Sequence, residues 1–116
     1  MFGFNKIKKL QKELEELEMK IIRNNNFNRF DLHELEGIAC EIEYEKMIEA
    51  DLVKEGWKMN IAECMAIQGA EMILEEFETT LLKKKVVTIN ELKELEEMAK
   101  EIQKDHMIQC KLLRRC

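Results

Sequence analysis

Ile7-Lys8-Lys9-Leu10-Gln11-Lys12-Glu13-Leu14-Glu15-Glu16-Leu17-Glu18-Met19-Lys20-Ile21 decides the fold class. Its apolar residues Ile7, Leu10, Leu14, Leu17 and Ile21 recur at intervals of 3, 4, 3 and 4. On a helix of 3.6 residues per turn, that spacing gathers them on one stripe, the a and d positions of a heptad; a strand would need alternation by two. Lys8, Lys9, Lys12, Glu13, Glu15, Glu16 and Glu18 are assigned to the solvated face. Asn24-Asn25-Asn26 ends the helix, because asparagine enters left-handed geometry more readily than most residues that carry a Cβ.

Three further helices follow from the same signals. Asp31 with Glu34 reads as a capping box opening helix two, which runs to about Glu55 and stops at Gly56. Helix three is expected from about Asn60, with Glu63 as partner and Trp57 and Met59 just upstream, to the basic run Lys83-Lys84-Lys85. Thr88-Ile89-Asn90-Glu91 is a further capping box and opens helix four, which continues nearly to Arg115. Short connections force antiparallel neighbours, so the expectation is an all-α antiparallel four-helix bundle, arranged up-down-up-down or as two helical hairpins. One helical domain over residues 1–116 is expected, hairpin one spanning about 5–55 and hairpin two about 58–115.

Sliding the chain by 60 residues strengthens the two-hairpin form. Leu14-Glu15-Glu16-Leu17-Glu18 falls over Leu74-Glu75-Glu76-Phe77-Glu78 with four identities in five. Residues 32–48 fall over 92–108 with nine in seventeen, at Leu32, Glu34, Leu35, Glu36, Ala39, Glu41, Ile42, Met47 and Ile48. Glu/Leu heptads match one another readily, yet this offset also superposes the two inter-helix turns. A duplicated hairpin is expected, with helix one resembling helix three and helix two resembling helix four.

The halves also differ. Helix two carries a second stripe, His33, Gly37, Cys40, Tyr44 and Met47, whose counterparts Lys93, Glu97, Lys100, Lys104 and Met107 read as a solvated face. Helix three is rich in apolar and small residues, among them Ala62, Ala66, Gly69 and Ala70. Two apolar stripes need two surfaces. They serve either the central pair of a compact bundle or an interface, for which His33, Gly37, Cys40, Tyr44, Met47 and Trp57 are the candidates.

Composition narrows the function classes. The chain has 116 residues, no proline, four glycines, 46% hydrophobic and 37% charged residues, which excludes collagen-like and disordered classes. Net charge is −5, distributed as +3 over 1–30, −7 over 31–56, −4 over 57–82 and +3 over 83–116. Acidic and basic helices can neutralise one another on packing; alternatively the acidic middle meets a basic partner or mimics nucleic acid. Direct nucleic-acid binding is not expected, since no uninterrupted basic face tracks a phosphate backbone. Met1-Phe2-Gly3-Phe4 before Lys6, Lys8 and Lys9 has an interfacial-anchor character, but the first helix needs its seam for the bundle, so membrane binding is not expected either. Cys40, Cys64, Cys110 and Cys116 form no CxxC pair, and no secretory signal is read at the start, so reduced thiols and a cytoplasmic location are expected.

His33-Glu34-Leu35-Glu36-Gly37-Ile38-Ala39 resembles the helix-borne motif of histidine phosphotransfer domains, themselves four-helix bundles. The resemblance implies phosphoryl transfer at His33; Glu36 stands where that family has lysine. His106 and Cys110 are four apart on one face, but a structural zinc needs four ligands, and Phe30 and Gln103 stand where a Glu-x-x-His di-iron motif needs glutamate. No metal, cofactor or catalytic residue is therefore expected, and His106 is expected at the edge of the core. The resulting expectation is a non-enzymatic protein-interaction module whose partner is another protein or a second copy in a homodimer. Its size, and the Lys-, Ile- and Asn-rich composition of an AT-rich coding sequence, suit a phage or mobile-element inhibitor of a host nuclease or defence system. An oligomeric assembly adaptor is the alternative, with phosphotransfer at His33 as another.

Overall fold

The computed structural model describes residues 2–24, 26–52 and 70–109. They form four helices: α1 (Phe2–Arg23), α2 (Arg29–Glu49), α3 (Ala70–Lys84) and α4 (Ile89–Gln109). The fold is an all-α bundle, and among the described residues there is no strand. The α1 seam is as its spacing requires, with Ile7, Leu10, Leu14, Leu17 and Ile21 all buried.

Local chemistry sets the helix ends, in two places differently from expectation. Asn28, not Asp31, caps α2. Asn28 Oδ1 accepts from the Asp31 N–H at 3.0 Å, and Asp31 Oδ2 accepts from the Asn28 N–H at 2.9 Å. Asp31 thus serves as the reciprocal third residue of a capping box that begins three residues earlier. The helix also ends before Gly56. Ala50 caps it, Asp51 takes a φ of 57°, and the N–H groups of Asp51 and Leu52 bond to the carbonyls of Ile48 and Met47. This is a Schellman motif with aspartate in the left-handed position that glycine usually fills. The expected start of helix three near Asn60, with Trp57 and Met59, lies outside the described residues.

The turn from α3 to α4 follows expectation. Lys85 adopts a φ of 63°. Thr88 then caps α4, its N–H donating to Glu91 Oε1 at 3.0 Å and its Oγ1 accepting from the Glu91 N–H at 3.2 Å. Lys84 pairs with the same Glu91 carboxylate. The capping boxes Asn28/Asp31 and Thr88/Glu91 stand 60 residues apart.

The second helix of each hairpin lies at the centre. Leu32, Leu35, Ala39 and Ile42 of α2 and Leu92, Leu95, Ala99 and Ile102 of α4 are buried. Gln103 meets Cys40, and three residues back along α4, Lys100 meets Glu43, three residues on along α2. The two helices therefore run in opposite directions where they pack. α1 lies against α2 and also reaches α4; α3 lies against α4 and also reaches α2. Two hairpins packed through their second helices, rather than a sequential up-down-up-down ring, is the observed arrangement. Among the described residues this makes α2 and α4 the central pair; residues 57–69, on which the alternative of helices two and three as the central pair chiefly rests, lie outside them.

Candidate functional site

Each helix of a hairpin carries a glutamate immediately after a core leucine or phenylalanine: Glu18 after Leu17, Glu36 after Leu35, Glu78 after Phe77, Glu96 after Leu95. In heptad terms all four sit at e, on the border of the a/d stripe. A second hairpin packed across the first covers that border. Glu18, Glu36, Glu78 and Glu96 accordingly retain only 3%, 3%, 1% and 2% of their surface. Glu18 is therefore not on the solvated face to which the periodicity of helix one assigns it. Within a single helix the e position borders water; only the packing of the second hairpin buries it.

The four acids meet as two pairs, each joining one hairpin to the other. Glu18 of α1 pairs with Glu96 of α4, and Lys93 Nζ stands 2.8 Å from Glu18 Oε2 and 3.7 Å from Glu96 Oε1. Burial, then hydrogen bonding with Glu18 and the Glu18 charge, pushes Glu96 up to about 8 against the pull of Lys93 and Lys100. Burial lowers the Lys93 ammonium, but its bonds and charge contacts with Glu18, Glu96 and Glu15 outweigh this and raise it.

Glu36 of α2 pairs with Glu78 of α3. Burial, followed by hydrogen bonding and charge from Glu78, pushes Glu36 up to about 10, with Arg29 acting in the opposite sense. Arg29 donates from Nη1 to Glu78 Oε1 and from Nη2 to Thr79 Oγ1, both at 2.7 Å. His33 Nε2 lies 3.2 Å from Glu78 Oε2. The position of His33 corresponds to that of Lys93 at the 60-residue offset, so the two pairs are alike in their acids and differ in the residue facing them. A buried carboxylate pair ionises reluctantly unless a cation or a shared proton compensates it.

The sequence-derived candidates divide between surface and interior. His33 is exposed and turned to Glu78; Gly37, Tyr44 and Met47 are half-buried; Trp57 lies outside the described residues. A methyl at Gly37 would meet no atom within 4 Å. Cys40 is fully buried, and its carbonyl accepts from Gln103 Nε2 at 3.1 Å, so part of the second stripe of α2 is used by α4. His106 is half-buried at the end of the Leu92, Leu95, Ala99 and Ile102 stripe, at the edge of the core; Cys110 lies outside the described residues.

Sequence reasoning missed the carboxylate pairs, although the repeat held the signal: glutamate is identical at 18 and 78 and at 36 and 96. It also missed that His33 and Glu36, one turn apart on α2, converge with Glu78 as a possible ligand set. No helix among the described residues is long and apolar enough to cross a membrane. Comparison with protein-family models, curated proteins and solved structures finds no match to this chain.

Proposed function

We propose that the chain is a non-enzymatic helical module that works by binding protein, first of all a second copy of itself, through the face where α3 borders the start of α2. The observation that carries this reading is on α3, where Met72 and Ile73 keep 65% and 61% of their surface exposed. Met72 also lines an open groove, together with Arg29, Glu75, Glu76, Thr79 and Lys83. Apolar side chains flanked by both signs of charge suit a self-complementary contact, in which one chain's acidic rim meets the other's basic residues. The acidic middle and basic flanks of the chain support the same pairing.

Light scattering across a concentration series tests it. A dimer that Met72→Glu with Ile73→Glu converts to monomer is the expected result; a wild-type monomer at every concentration removes the self-association reading. An assembly-adaptor role goes with self-association. An inhibitor of a host enzyme goes with a monomer that associates only with that enzyme.

We also read the two hairpins as copies of one ancestral unit. The matched capping boxes, the matched buried stripes and the two reciprocal carboxylate pairs support this.

A further inference from the structure

We propose that His33 and Glu36 of α2 and Glu78 of α3 form a binding site for a first-row divalent cation, with Zn²⁺ as the probe. A donor atom from each of the three side chains lies within 4.8 Å of the other two. Around one such ion in a tetrahedral shell, with ligand bonds of about 2.0–2.2 Å, donor atoms stand about 3.3–3.6 Å apart. Rotamer adjustments on the order of 1 Å therefore close the set. His33 and Glu36 are three residues apart, which places them on one helical face.

The burial of the two acids favours a cation at this place independently of that spacing. Apart from the hydrogen bonding between the two acids, Glu36 Oε2 is buried without a partner. Glu78 Oε2 accepts no hydrogen bond either, although His33 Nε2 is 3.2 Å away. Arg29 occupies the other oxygen, Oε1, and fixes the Glu78 carboxylate from outside. Orienting partners of this kind are typical of metal-binding carboxylates.

The other half of the molecule shows what this position does when it carries its own cation. There Lys93 brings an ammonium to Glu18 and Glu96. His33 occupies the corresponding place, and an imidazole nitrogen offers a lone pair where an ammonium offers a charge. One nitrogen and two carboxylate oxygens, with water completing the shell, suit Zn²⁺ and its first-row neighbours better than Mg²⁺ or Ca²⁺, which favour all-oxygen sets.

The test titrates the full-length chain with Zn²⁺ against a chromogenic chelator, and with Co²⁺ for its visible spectrum. One ion per chain is expected, with a raised thermal midpoint and Co²⁺ bands lacking an intense thiolate charge-transfer feature. His33→Gln and Glu36→Gln should each weaken binding by about tenfold or more. His33→Lys, which copies the other pair, should raise the thermal midpoint without metal and abolish the Zn²⁺-dependent rise. His33 is exposed, so its variants fold irrespective of the site's role. No binding at ~100 μM Zn²⁺, well above the range of protein zinc sites, overturns the proposal. Binding unaffected by His33→Gln and Glu36→Gln also overturns it, as does a Co²⁺ spectrum that disappears with Cys110→Ser and Cys116→Ser.

Discussion

Gln103 donates its side-chain amide to the backbone carbonyl of Cys40, 3.1 Å away, across the boundary between the two hairpins. Both residues are fully buried, so the bond forms where water cannot replace it. Gln103→Ala should destabilise the protein by about 2 kcal/mol, combining a stranded carbonyl with a small cavity. At the matching position Lys100 reaches Glu43 at 3.7 Å, in a half-exposed setting. Lys100→Ala should cost roughly 1 kcal/mol or less. Urea denaturation of both variants measures the difference.

Leu35 and Leu95 occupy corresponding places on the two central helices, and both are fully buried. Truncation to alanine should cost about 3 kcal/mol at either site, and the two losses should agree within about 1 kcal/mol. A large inequality, read from the same denaturation curves, would mean that the two halves support the core differently.

Glu96 holds its proton up to about 8, against 4.5 for an ordinary glutamate. Between those values the folded chain binds a proton that the unfolded chain has released, so stability is greatest at the acid end and falls as pH rises towards 8. Above that the effect levels off. The groups facing Glu96 are Glu18 from α1 and Lys93 and Lys100 from its own helix. Glu96→Gln should leave the Glu18–Lys93 pair intact and flatten this fall. The gain over wild type at pH 8.5 should be on the order of 3 kcal/mol, shrinking towards pH 5. Glu91 works in the opposite sense. Its bond with Lys84, together with the Thr88 N–H, holds it below the usual carboxylate range, so its contribution is lost as pH falls.

Lys85 and Asp51 both sit at positive φ, 63° and 57°. Lys85→Gly should be neutral or stabilise by up to about 1 kcal/mol, since glycine enters this region freely. Lys85→Val should destabilise by roughly 1–2 kcal/mol, because β-branching resists it. Thermal unfolding of the pair separates backbone preference from side-chain contacts.

Stripes formed within one helix could be read directly from the sequence. Ile7 to Ile21 on α1, and Leu92, Leu95, Ala99 and Ile102 on α4, needed only a heptad count. Thr88 with Glu91 was legible because threonine and glutamate at that spacing have few other uses. Asp31 hides Asn28, three residues before it, since both are good caps and residue type alone does not say which of the two opens the helix. The end of α2 is not legible in the sequence because it rests on Asp51 in a position usually marked by glycine. Glu18 and Glu78 were hidden for a different reason. Their burial comes from a helix of the opposite hairpin, and the period of one helix carries no record of its neighbour across the bundle.

The carboxylate pairs join one hairpin to the other and never close within a hairpin. Glu18 finds Glu96 and Lys93, while Glu78 finds Glu36, His33 and Arg29. A hairpin alone would expose its apolar stripe with both of its acids unmatched. Cut in the segment between them, the two pieces should therefore be poor solo folders yet recover the native helical signal when mixed in equal amounts. The chain would then be a ready-made split pair, its halves keyed to each other by complementary ionisable groups.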